Sequence, residues 1–212
     1  MKRAGRIIAA LWLAVAAGSA ARADSNAADC LSDDNERRIL GCSIIIENPA
    51  TPPLERSNAL AIRGLALAIK GMLDLAIQDY DAALAINPNS PSALNNRAWA
   101  RFRSGRGPEG LPDVERSLMI NPGSEHSWDT RAHIRQLMGN PEGAIRDYEM
   151  AVHLGGERMI KLYQCGLGER GIYRGSMHGV YDAETKEALH LCAHKRDCDP
   201  LPADEKCEPP AS

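Results

Sequence analysis

Ser57–Ser90 reads SNALAIRGLALAIKGMLDLAIQDYDAALAINPNS, and the next two blocks of 34 residues align to it without a gap. They are PSALNNRAWARFRSGRGPEGLPDVERSLMINPGS (91–124) and EHSWDTRAHIRQLMGNPEGAIRDYEMAVHLGGER (125–158). Arg63, Arg97 and Arg131 fall in step, as do Gly71, Gly105 and Gly139, and Leu84, Leu118 and Val152. Asn87-Pro88, Asn121-Pro122 and Leu154-Gly155-Gly156 close the blocks. A gapless period of this length is the signature of a helical solenoid, whose units bury their apolar faces only by stacking on one another. Stacks of this kind are usually binding surfaces without chemistry of their own.

Each block divides into two amphipathic helices around its glycine. Leu60, Gly64 and Leu67 lie at helical spacing before Gly71, and Ala76, Tyr80 and Ala83 lie at helical spacing after it. Trp128, Ala132, Gly139, Ala144, Tyr148 and Ala151 take the same places in the third block. Small residues at Gly64, Ala98 and Ala132 let neighbouring helices approach, large ones fill between, and Pro88 cannot continue a helix. The period and this alternation of small and large positions resemble the tetratricopeptide repeat over Ser57 to about Arg158. The second block departs most: Gly110 and Pro112 fall inside its second helix, and Pro112 is expected to delay or kink it.

The resemblance implies an all-α solenoid of three full repeats (57–90, 91–124 and 125–158). Residues 24–56 read as an N-terminal half-repeat cap, with Ile39, Cys42, Ile45 and Ile46 on one helical face and Asp33 as N-cap with Glu36 as its partner. The first helices of tetratricopeptide repeats line a groove. The resemblance places there Asn58, Ala61, Ile62, Leu65 and Ile69 from the first unit. It adds Asn95, Asn96, Trp99, Phe102 and Arg103 from the second, and His126, Asp129, His133 and Gln136 from the third. A carboxylate clamp of the kind known in such repeats needs several cations in the groove. The clamp positions here hold Ala61, Leu65, His126 and Thr130, and Asn96 alone agrees, so a short apolar or aromatic peptide is the expected ligand. Trp99 and Phe102 are the anchors for it, because buried aromatics dominate interface energetics. The alternative is that the chain's own tail or leader-proximal segment covers them.

The N-terminus carries a second signal. Met1–Arg6 is basic, Ile7–Ala17 is an almost unbroken apolar run, and Ala21-Arg22-Ala23 has the small-x-small form of a cleavage site. This is the layout of a secretory signal peptide (1–23), and the run is too short to span a bilayer. Export places the protein in the periplasm or outside the cell, not membrane-spanning after cleavage. Removing the leader's four basic residues leaves 21 Lys and Arg against 28 Asp and Glu, a net of −7. Such a chain is a poor ligand for nucleic acid, where affinity rests on phosphate neutralisation.

All six cysteines follow the leader, an even number in an oxidising compartment, and read as three disulfides. The spacing suggests Cys30–Cys42, Cys165–Cys192 and Cys198–Cys207. The rival is a metal site among His190, Cys192, His194 and Cys198, but the Cys-x2-4-Cys pairs that zinc favours do not occur. No catalytic constellation, phosphate loop or cofactor motif is present, so neither an enzyme nor a cofactor protein is expected.

Beyond the repeats, Gln164, Leu167, Gly171-Ile172-Tyr173-Arg174-Gly175, Gly179-Val180-Tyr181 and Thr185 with Ala188-Leu189 occur in an order that resembles the first half of a small helical peptidoglycan-binding domain. The resemblance covers residues 159–192. His178 stands where that family has Asp, Asp182 stands where it has Gly, and a Cys/Pro-rich tail (193–212) replaces the remaining helix. It implies possible glycan contacts at Tyr173, His178, Tyr181 and Asp182. The competing reading is a stapled cap over the last repeat. The partners expected are therefore another envelope protein or peptide, with peptidoglycan as the alternative.

Overall fold

The computed structural model describes residues 27–202 and 207. The leader assignment (1–23) lies outside them. The described residues are helical, without a strand among them, and the chain divides after Pro88 into two compact units.

In the first unit, α1 (Asn35–Glu47), α2 (Pro53–Ile69) and α3 (Leu73–Ile86) pack in sequence. Asp34, not Asp33, caps α1: its carboxylate accepts from the N–H groups of Glu36 and Arg37. The cap moves one residue because Asp34 is the position whose extended backbone aims its side chain at those two otherwise unpaired donors. Cys30 is bonded to Cys42, with Cα atoms 4.5 Å apart, and the pair is buried beside Ala59, Ile45 and Ile62. The bridge fastens the turn before α1 to the helix and seats both on α2.

In the second unit, α4 (Pro91–Arg103), α5 (Gly107–Ile120), α6 (Glu125–Leu137), α7 (Pro141–Glu169) and α8 (Ala183–Ala193) follow. Ser90 and Ser124, one period apart, cap α4 and α6. α5 begins at Gly107 and ends at Ile120, in register with α3 and with the start of α7. Pro112 therefore does not delay the helix. Pro112 is exposed, and a proline in the second turn removes one hydrogen bond without ending the helix here. Gly110 beside it lets α5 press on α4, since a Cβ there would come within 2.9 Å of the Ala98 carbonyl oxygen.

One ion pair recurs with the period. Arg63, Arg97 and Arg131 on the first helices each reach across to Asp79, Asp113 and Asp147 on the second, at 2.6–2.8 Å with two nitrogens on two oxygens. Arg101 and Arg135 add a second cation to Asp113 and Asp147. Bidentate geometry of this kind fixes the angle between paired helices as well as holding them. Gly71, Gly105 and Gly139 all have φ near +77° (76°, 78° and 76°), the left-handed turn that joins the two helices of a unit.

The register does not stop at Arg158. α7 breaks at Gly156 (φ 56°, ψ −144°), and beyond it Tyr163 lies one period after Asp129 and donates its hydroxyl to the Asp129 carboxylate. Tyr163, Leu167, Tyr173, Ala188, Leu189 and Cys192 share one core with Ala132, Tyr148 and Val152. Residues 159–192 thus form a further helical hairpin with a long loop, stacked on the third repeat. Two disulfides differ from those read off the spacing: Cys192 is bonded to Cys198 (Cα–Cα 5.3 Å) and Cys165 to Cys207 (5.9 Å). The chain turns tightly after Ala193 and returns Cys198 to Cys192 within 6 residues, a short closure with little entropy cost. Cys165 on α7 is then left to the end of the tail.

Candidate functional site

On α2, Ala59, Leu60, Gly64 and Leu67 are buried against neighbouring helices. The opposite stripe carries Asn58, Ala61, Ile62, Leu65 and Ile69. Asn58 is exposed and Ala61 and Ile62 are half-buried, while Leu65 and Ile69 are 39% and 59% exposed. The spacing puts all of these on one face. This unit therefore offers an apolar stripe with a polar start.

The matching face of the second unit is built differently. On α4, Asn95 is buried, Asn96, Trp99 and Phe102 are half-buried, and Arg103 is exposed with its guanidinium 5.7 Å from the Trp99 ring centre. Trp99 stacks on Phe102 at 5.1 Å. His133 of α6 stands edge-on to both rings, at 5.2 and 5.4 Å, and to Tyr148 at 5.1 Å. His126 is exposed near Glu125, whereas Asp129, His133 and Gln136 are buried.

His133 and Gln136 are covered by residues 192–201 of the same chain, and Asp129 lies against Tyr163 and His133. His133 Nδ1 donates to the Asp129 carbonyl oxygen (2.9 Å) and Nε2 to Asp199 Oδ1 (2.9 Å). Both partners accept only, so the ring carries both protons. Burial alone would depress its pKa, but the Asp129 charge and the bond to Asp199 outweigh that and raise it to about 9. Burial likewise opposes ionisation of Asp199, yet the His133 bond, the imidazolium charge and the Leu201 N–H pull its pKa below the usual value. Asp129 is pushed the other way by burial, against the pull of His133 and the Tyr163 hydroxyl. Gln136 Nε2 lies 3.1, 2.6 and 2.5 Å from the carbonyl oxygens of Cys192, Lys195 and Cys198, while its Oε1 accepts from the Tyr148 hydroxyl at 2.7 Å. Farther along, Arg170 donates to the Leu201 carbonyl (3.0 Å), and Gly166 leaves the space through which Pro200 and Leu201 pass. A Cβ at Gly166 would sit 2.3 Å from the Pro200 carbonyl oxygen.

The residues of the glycan-like segment are engaged internally. Tyr173 is buried with its hydroxyl on the Ser176 carbonyl, Tyr181 reaches Glu149, and Asp182 caps α8 through the Thr185 N–H. His178 is exposed, paired to Asp182 at 3.2 Å. Gln164 is the hub of the loop, accepting from Gly179 N–H and donating to Val180 O and Thr185 Oγ1. Among the described residues no group of His, Cys, Asp or Glu is arranged to hold a metal ion, and no helix is long and apolar enough to cross a membrane.

Sequence reading missed two sets of residues. Asp79, Asp113 and Asp147 recur at the same step as the arginines they bind, and that signal was available. Asp199 carries no such signal, because it lies in the irregular tail, 66 residues from His133.

The tetratricopeptide (TPR) repeat family model matches residues 64–105. Residues 64–105 carry the tetratricopeptide repeat pattern. Two curated relatives bear the name "Tetratricopeptide repeat protein 36": the human protein, 35% identical over 106 residues, and the mouse protein, 33% identical over 106. Each match covers 48% of this chain and 56% or 57% of the relative, so the chain spans about half the length of the curated relatives it matches. Two crystal structures of MamA superpose with TM-scores of 0.56 and 0.53 at 17% identity, covering 81% and 77% of this chain and 86% of each MamA chain. That likeness is one of fold: a TPR-type helical solenoid.

Proposed function

We propose that this TPR chain is an interaction scaffold, exported beyond the inner membrane, that docks a partner protein or peptide on the first-helix face of its repeats. The observation that carries the reading is the stripe on α2. Leu65 and Ile69 are large, apolar and exposed on one face of α2, and Ile62 on the same stripe packs inward against the Cys30–Cys42 cluster. The equivalent positions one period on are Trp99 and Arg103, residue types that serve as binding anchors. Peptides recovered by panning a random library against the full chain provide the test. A peptide that docks on this stripe loses at least tenfold in affinity with Leu65→Asp or Ile69→Asp; unchanged affinity for every recovered peptide removes the assignment.

Wall binding through residues 160–192 is the second reading, supported by the motif order and by the helix–loop–helix arrangement around Gln164. It has less behind it, because Tyr173 and Tyr181 are turned to internal partners. Co-sedimentation with purified peptidoglycan separates the two, with His178→Ala as the variant that should lose binding if the wall is the ligand.

A further inference from the structure

The contacts that residues 192–201 make with α6 are those of a peptide on a receptor. One carboxylate meets one imidazolium, and three main-chain carbonyls converge on one amide. The segment has no regular structure of its own after Ala193, and His194, Lys195, Arg196 and Asp197 are exposed. The Cys192–Cys198 ring presents the carbonyls to Gln136 and sets Asp199 at the ring's edge beside His133. His133 is buried while the Asp199 side chain is 37% exposed, so one member of the pair is reachable from solvent, and such pairs are best attested as devices that fix register or switch. With Nδ1 held by the Asp129 carbonyl oxygen, Nε2–H is the donor left for a ligand, and the acceptor it meets here is a carboxylate.

Resting on the reading that the first-helix face of the repeats binds peptides, we propose that Asp129, His133 and Gln136 form a peptide site that reads an internal aspartate. Residues 192–201 fill it in cis as a turn, and an acidic turn of a partner competes for the same place. The tail is thereby a tethered plug, and a partner must outcompete a ligand held at an effective concentration on the order of mM.

The probe is a fluorescein-labelled synthetic peptide of residues 194–202 with Cys198→Ser, titrated by anisotropy into the full chain. Asp199→Asn in the protein takes the carboxylate off the cis segment and should tighten binding of the probe at least tenfold over wild type. The probe's own Asp199→Asn form should not bind, and adding His133→Gln to the protein variant should abolish binding of the acidic probe. Equal weak binding by wild type and Asp199→Asn, or binding indifferent to His133→Gln, overturns the proposal. The wild-type chain gives an independent reading: probe at millimolar concentration should raise amide exchange across residues 194–201, and unchanged exchange refutes displacement. If these fail while Ile69→Asp still weakens a peptide docked on α2, the acid-reading site falls and the scaffold reading stands.

Discussion

Stability should fall as pH rises from about 6.5 to 9, and His133 should be the cause. Its imidazole has a pKa raised from 6.5 to about 9 in the folded chain. A group whose folded pKa exceeds its unfolded value contributes stability that is fully present below the unfolded value and is lost as pH passes the folded one. The shift corresponds to a contribution of about 3 kcal/mol at pH 6, from roughly 1.4 kcal/mol per pKa unit. With the ring buried to 2% exposure, solvent screening does little to reduce it. The facing groups do not mask the slope. Asp199 is held below the usual carboxylate range, Tyr148 and Tyr163 are raised well above 10, and Asp129 is raised by burial, which slopes stability in the same direction as His133. Urea unfolding of the full chain at pH 6, 7.5 and 9, disulfides intact, measures it. The wild type should lose about 3 kcal/mol across the range relative to His133→Gln, which keeps a hydrogen-bonding side chain but not the charge. Parallel pH profiles for the two proteins would refute the assignment of a protonated, doubly paired His133.

Asp147→Ala should destabilise by about 3–5 kcal/mol in urea unfolding, because it leaves Arg131 and Arg135 facing a buried vacancy. Gly166→Ala should push Pro200 and Leu201 off α7, seen as loss of amide protection at Leu201 with a destabilisation of about 1–3 kcal/mol, as overpacked sites show. Trp99→Ala should weaken a groove-bound peptide by about 2 kcal/mol. Because Trp99 also packs on the core beside His133, the same change should lower the thermal midpoint, and a midpoint equal to wild type would contradict that packing. Mass spectrometry of the protein purified from its host cell should find a chain beginning at Asp24, and an intact Met1 would remove the export reading.

The repeat was legible because its determinants are periodic. Gly71, Gly105 and Gly139 fix the same turn three times, and the helix limits in the two units follow the same step. Pro112 breaks no helix because the close packing of α5 on α4, with Gly110 against Ala98, outweighs the one hydrogen bond it removes, and that packing is not local in sequence. The disulfides show the limit of spacing arguments: Cys165 and Cys192 look adjacent in sequence terms, but the tight turn after Ala193 gives Cys192 to Cys198. His133 was placed on the first-helix face from the register alone, yet its burial depends on Asp199, a residue in an aperiodic tail. No pattern in the sequence links two residues whose only relation is that the tail folds back across α6.

On this reading the α2 stripe meets a partner while the α6 face holds the chain's own tail. Photoreactive residues placed one at a time at Ile69 and at His133 in the full chain, crosslinked in living cells and read by mass spectrometry, test it most directly. Intermolecular adducts are expected from Ile69, whereas His133 should yield adducts to residues 192–201 except where an acidic partner has displaced them. Intramolecular adducts alone from Ile69 would contradict it.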